Sequence, residues 1–149
     1  MAWRRTPEED KHHDGADRKR QMQGRIDAGI PVGLLAHDGA EPIGWVSIAP
    51  RETYRNLGGP EAEPGETIWS LACFYVPRAL RGQRLMARLI TGAVDHARES
   101  GATIVEAYPV EAAAPSYRFM GLVSTFVAAG FVEVGQAGKR RHVMRLALR

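Results

Sequence analysis

Hydrophobic and polar positions along this chain alternate between a period of two and a period near 3.6, and the switches mark its elements. Residues 68–76 (IWSLACFYV) are almost continuously apolar and rich in β-favouring types, the pattern of a strand covered on both faces. Pro77 closes that strand, because it has no N–H to donate to a ladder. From Leu85 the spacing turns helical, with Leu85, Leu89 and Ala93 on one line and Met86, Ile90, Val94 and Ala97 beside it. Gly101 ends the helix in the position after its cap. The tight turn between strand and helix holds Arg81 and Gly82. The first N–H groups of the helix lack intrahelical partners, and its dipole adds partial positive charge, so this turn suits an anion.

The remaining elements arrange themselves around that unit. Residues 32–37 and 42–49 read as two strands joined by an Asp38-Gly39 turn, a strong hairpin signal. Residues 50–65 are rich in proline, glycine and charge, and form a loop long enough to mark a functional lid or a mobile segment. Residues 102–110 form a further strand, with Ile104, Glu106 and Tyr108 on one face. The intervening helix makes it parallel to 68–76 and its neighbour. Ser116-Tyr117 opens a helix running to about residue 129, and strands at 131–134 and 140–148 follow. At the other end, residues 1–5 suit a short edge strand. Thr6, Pro7 and Glu9 fit the cap, first and third positions of a helix. Residues 16–28 make a polar surface helix. The whole is an α+β chain read as one domain over residues 1–149, with a mixed sheet of about six to seven strands and about four helices.

Composition narrows the function. Of 149 residues, 44% are hydrophobic and 25% charged, as in a soluble globular protein. No apolar run is long enough to span a membrane and no secretory leader is visible, so no membrane partner is expected. One cysteine, Cys73, rules out an internal disulfide and makes the reducing cytoplasm the expected compartment. Its place in the central strand reads as a packed, inert thiol. The net charge of +3 suits a polyanionic small molecule. Nucleic acid is not expected, since interleaved aromatics and a strongly basic helix are both missing. Lys139-Arg140-Arg141-His142 reads as a solvated hairpin end, with contact to phosphates as the alternative. His12 and His13 read as a surface pair, and no metal site is expected.

The run VPRALRGQ, Val76 to Gln83, resembles the acetyl-coenzyme A motif of the GNAT N-acetyltransferases, in which a Gln/Arg-x-x-Gly-x-Gly/Ala pattern follows a central strand. Val76 takes the family's valine position and Arg81 opens the signature, while Arg84 and Met86 stand in the glycine positions. The segment FVAAGFVEV is similar to the family's closing helix, Gly-Phe and strand. Gly44 before Trp45 also resembles a family strand. The resemblance implies the GNAT fold and acetyl transfer from acetyl-coenzyme A, as co-substrate, to a primary amine of a small molecule or peptide by direct attack in a ternary complex. It implies that the backbone at Phe74, Tyr75 and Val76 holds the acetyl and pantetheine parts. Arg81, Gly82, Gln83, Arg84, Leu85 and Met86 would hold the pyrophosphate.

Glu106 is the candidate general base, acting directly or through water; the alternative is a salt-bridged strand residue. The family's acid tyrosine is replaced by Phe126, which leaves Tyr108, Tyr117 or water to protonate the thiolate. A GNAT-fold protein that binds coenzyme A or another nucleotide without transfer is the competing reading. A homodimer is left open.

Overall fold

The computed structural model describes residues 3–12 and 14–149. Six strands form one sheet: β1 (Leu34–Asp38), β2 (Glu41–Pro50), β3 (Ile68–Tyr75), β4 (Ile104–Ala107), β5 (Val132–Ala137) and β6 (Arg141–Ala147). Their order is β1-β2-β3-β4-β6-β5. Only β3 and β4 pair in parallel, as expected of strands joined through a helix. Among the described residues there are three α-helices, fewer than expected: α1 (Gly15–Asp27), α2 (Leu85–Glu99) and α3 (Val123–Ala128).

α2 buries the stripe read from its sequence, Leu85, Leu89, Ile90, Ala93, Val94 and Ala97, except that Met86 is only half-buried. Opposite it lie Val46, Ile48, Trp69, Leu71, Phe74, Val105 and Ala107 of the sheet, and Phe126 of α3 joins the same core. A second, smaller cluster covers the other face of the sheet, built from Ala49, Tyr54, Leu57, Ala72, Tyr108, Met120, Ala137 and Val143.

Two features open the sheet where function is expected. β3 pairs with β4 only from Ile68↔Ile104 to Leu71↔Ala107, although β3 continues along β2 as far as Tyr75. Pro109 cannot donate to a ladder, and its carbonyl instead accepts from the His142 N–H (2.8 Å). The chain therefore swings away from β3. The opening is plugged by a 3-10 turn, Arg118–Met120, whose Met120 is fully buried.

Three expected elements differ. The helix expected from residue 116 to about 129 is broken by Gly121 (φ 95°), where Val110 bridges Leu122, so α3 is one short piece. Residues 3 and 4 form a turn rather than a strand, because Arg4 drives its side chain inward; residues 1 and 2 lie outside the described residues. The capping pair forms as expected, with the Thr6 N–H donating to Glu9 Oε2 (2.8 Å) and the Glu9 N–H to Thr6 Oγ1 (3.2 Å). It starts only a 3-10 turn at Glu9–Lys11, since Asp14 caps a new helix by accepting from the Asp17 N–H (2.7 Å). His12 is exposed, and His13 lies outside the described residues.

Candidate active site

At the C-terminal end of β3 the chain passes through Pro77 and a 3-10 turn, Arg78–Leu80, into α2. Gly82 (φ 80°) and Arg84 (φ 59°) both adopt left-handed backbone. The position that the motif gives to glycine thus keeps a glycine-like conformation with an arginine in it. Among the described residues no side chain caps α2, and its first turn has no acid, so its leading N–H groups are left for an anion. Between Glu66 and Asp95 the sequence contains no acidic residue but carries Arg78, Arg81, Arg84 and Arg88. The local field is strongly positive.

This turn borders a cleft of about 680 Å³, lined on one side by Phe74, Tyr75, Val76, Arg81, Gly82 and Met86. A contiguous hollow of about 300 Å³ adds Arg84 and Leu85 to the same rim. Gln83 is the exception among the expected residues: it lines neither hollow, and its amide donates to Ala79 O (3.4 Å). Arg81 folds back so that Nε donates to Val76 O (3.2 Å). The facing wall, Arg118, Phe119, Gly121, Leu122 and Thr125, is not anticipated from sequence. An unbroken helix over 116–129 would have hidden it, and Gly121 was the available signal.

Glu106 and Tyr108 lie behind this cleft, not in it. Both are fully buried on the sheet face opposite α2. The Tyr108 hydroxyl donates to Glu106 Oε1 (2.6 Å) and shares a hydrogen bond with Ser70 Oγ (2.7 Å). Burial, reinforced by the Glu106 charge and by donation to it, pushes the Tyr108 phenol far above its ordinary range. Arg145 Nε donates to Glu106 Oε2 (2.7 Å), and Arg51 Nη1 lies 3.5 Å from Oε1. Both arginines also donate to Pro60 O (2.8 and 2.7 Å). Gly59 presses so closely that a Cβ there would lie 2.1 Å from Glu106 Oε1. The loop read as a lid or mobile segment is therefore fastened over a buried carboxylate.

Tyr117 stands apart from that pair. It is half-exposed in left-handed backbone (φ 63°), with its ring 6.4 Å from Trp3 and 6.3 Å from Phe119. Phe126 is core, edge-on to Phe131 at 5.0 Å. The Cys73 thiol is partly buried, and burial pushes it up, which suits an inert packed thiol. The basic run at 139–142 is not simply a solvated hairpin end. Arg140 donates to Ser116 Oγ (2.8 Å), Arg141 to Leu57 O (2.9 Å), and His142 sits between Glu111 and Glu133. No cluster of metal-binding side chains occurs among the described residues.

Sequence reasoning also passes over Arg4 and Tyr54. Arg4 Nη2 donates to Tyr54 Oη (2.6 Å) and to Val32 O (2.7 Å). Tyr54 Oη shares a further hydrogen bond with Ser47 Oγ (2.9 Å). Burial pushes the Tyr54 phenol up to about 12.

The mixed sheet parts beside the basic start of α2, and comparison makes the class definite. The acetyltransferase (GNAT) family model matches residues 1–122, and the chain belongs to that family. Ribosomal-protein-alanine N-acetyltransferase of Brucella melitensis is similar in structure, with TM-score 0.62 and 21% identity over 91% of this chain and 80% of that one. The Salmonella typhimurium protein yncA, solved with acetyl-coenzyme A, gives TM-score 0.60 and 20% identity over 92% and 75%. The PaiA N-acetyltransferase of Thermoplasma acidophilum, solved with coenzyme A, gives TM-score 0.60 and 13% identity over 89% and 71%. A sequence comparison with curated proteins found no match.

Proposed function

We propose that this GNAT acetyltransferase moves the acetyl group of acetyl-coenzyme A to a primary amine of a small molecule or peptide, by direct attack in a ternary complex. The observation that carries the reading is the cleft where β3 ends, bounded by the uncapped start of α2 and by a rim of arginines without acids. Phe74, Tyr75 and Val76 would hold the acetyl and pantetheine parts. The backbone from Gly82 to Met86, with Arg81 and Arg84, would hold the pyrophosphate, and Arg118, Phe119, Leu122 and Thr125 would close the far wall. The coenzyme supplies an activated thioester.

In the transfer the amine nitrogen attacks the thioester carbonyl carbon. A C–N bond forms, the C–S bond breaks, and the proton lost from nitrogen ends on the sulfur. Tyr117, half-exposed next to the Arg118–Met120 wall, is our candidate for carrying that proton, directly or through water. We assign Glu106 and Tyr108 a positioning role, since both are fully buried and neither lines the cleft. We read the chain as one domain acting in the cytoplasm; no helix among the described residues is long and apolar enough to cross a membrane.

A second reading, coenzyme binding without transfer, is favoured by one feature: the residues lining the cleft include no carboxylate and no imidazole. Isothermal titration of acetyl-coenzyme A, repeated with Arg81→Ala, tests the common part. We expect micromolar affinity, weakened about tenfold by loss of one charge-assisted contact. No heat and no thermal stabilisation at millimolar coenzyme would sink both readings. Thiol release with a panel of amines then separates transfer from binding alone.

A further inference from the structure

We infer that the amine acceptor carries a carboxylate, held by Trp3, Arg4 and Arg141 on the sheet face opposite α2. The inference rests on the acetyltransferase reading above and names the class of its second substrate.

The three residues lie on one sheet face, and Arg141 approaches the cleft wall through Tyr117. The Arg141 guanidinium lies 4.6 Å from the Trp3 ring centroid and 5.5 Å from that of Tyr117. Tyr117 directly precedes the Arg118–Met120 wall of the cleft. Trp3 packs on the cluster containing Tyr54 and Leu57. The Arg4 guanidinium lies 4.4 Å from the Tyr54 ring centroid. Tyr54 bonds Ser47, which pairs across the sheet with Cys73, the residue before Phe74.

The charge of this patch is uncompensated. Arg4 is only 6% exposed, and neither it nor Arg141 has an ion-pair partner among the described residues. The surrounding acids are committed elsewhere. Glu9 binds Arg25 (2.8 Å), Asp10 binds Arg5 and Arg55, and Glu111 and Glu133 flank His142. A buried cation without an anion is costly, and truly orphaned buried donors are rare in native structures. Here Arg4 Nε and Trp3 Nε1 are both buried donors with no partner among the described residues. Burial also lowers the proton affinity of both guanidiniums, which a bound anion would reverse.

A carboxylate supplies the missing charge and acceptor oxygens together. The rings of Trp3, Tyr117 and Phe119 form an apolar shelf beside them, which suits an aromatic amino acid or a peptide end bearing one. Polycationic amines would meet like charge.

The test compares amines that differ only in the carboxylate: phenylalanine against phenethylamine, and tryptophan against tryptamine, with spermidine as the polycation. Thiol release from acetyl-coenzyme A gives kcat/KM, and thermal shift with coenzyme A present gives binding without turnover. We expect the carboxylate member of each pair to win by about tenfold or more, mainly through KM. Arg141→Gln should collapse that ratio, while Arg141→Lys, which keeps the charge, should retain part of it. A folded Arg141→Gln protein with an unchanged ratio would overturn the assignment. So would equal or better turnover of phenethylamine, tryptamine or spermidine, which leaves the acetyltransferase reading standing. Binding of the amino acids without acetylation of any amine would leave a carboxylate-binding site but overturn the acceptor assignment together with the transferase reading. Neither binding nor turnover would overturn both.

Discussion

Arg84 and Tyr117 are the two described non-glycine residues with positive φ, and each stands beside the cleft. Left-handed backbone costs an L-residue roughly 1–2 kcal/mol, because its Cβ crowds the following carbonyl oxygen. Glycine escapes the clash but gives the unfolded chain more freedom, which removes part of the gain. Arg84→Gly should therefore stabilise the fold by about 1 kcal/mol, or about 2–4 °C in melting temperature for a chain of this size. A lower melting temperature would show that the Arg84 side chain supports the fold more than its backbone strains it. The resemblance puts a glycine at Arg84, read as room for the backbone to approach phosphates, and the left-handed φ emerges only in the fold. Why an arginine occupies that position was not legible, because the sequence alone cannot weigh local strain against a charge at the helix start. Tyr117 offered no such cue. Its conformation follows from where the chain re-enters the sheet after Pro109, which is a tertiary matter.

Between elements, on the sheet face opposite α2, a clamp joins β4, β6 and the loop after β2. One carboxylate, Glu106, receives Arg51, Arg145 and the Tyr108 hydroxyl. Both arginines also hold Pro60 O, so the loop and the carboxylate are fixed together. Breaking a buried ion pair from one side leaves an uncompensated charge and typically costs about 3–5 kcal/mol. Glu106→Gln should cost about 3 kcal/mol, allowing for the part-exposed arginines, and should make the loop over residues 51–66 a site of limited proteolysis. If Glu106 is also the base that accepts the amine proton, the same variant loses kcat at temperatures where it is still fully folded. In the sequence Glu106 stands out as the acid on the strand beside the central one, on one face with Ile104 and Tyr108. Its partners lie 55 and 39 residues away, beyond any local pattern. The β3–turn–α2 unit was legible because its signals are short-ranged: a β-rich apolar run, a proline stop and a helical stripe. The segment from 116 to 129 misled for the opposite reason. Its helical spacing is real, yet the bridge of Val110 to Leu122 overrides it.

For the molecule as a whole, the N-terminal segment is held in place by one ion pair. Arg25 Nη2 donates to Arg4 O (2.9 Å) and to Glu9 Oε2 (2.8 Å), so one ion pair fixes the turn that delivers Trp3 and Arg4. The hydrogen bond from Arg25, helped by the Thr6 N–H and opposed by partial burial, brings the Glu9 carboxyl down to about 2 from an ordinary 4.5. A carboxyl whose folded value lies below its unfolded one makes the unfolded chain bind more protons between the two, so stability rises with pH there. The contribution of Glu9 is complete above its ordinary range and is lost as pH falls through about 2. Acid unfolding curves should therefore show a stability slope between about pH 4.5 and 2 that is smaller in Glu9→Gln. Because Glu9 is partly exposed, added salt should shrink the difference between the two proteins. An unchanged slope in Glu9→Gln would mean that the N-terminal segment detaches without help from this pair. Trp3 and Arg4 would then be held by the Tyr54 contact and the packing beneath it.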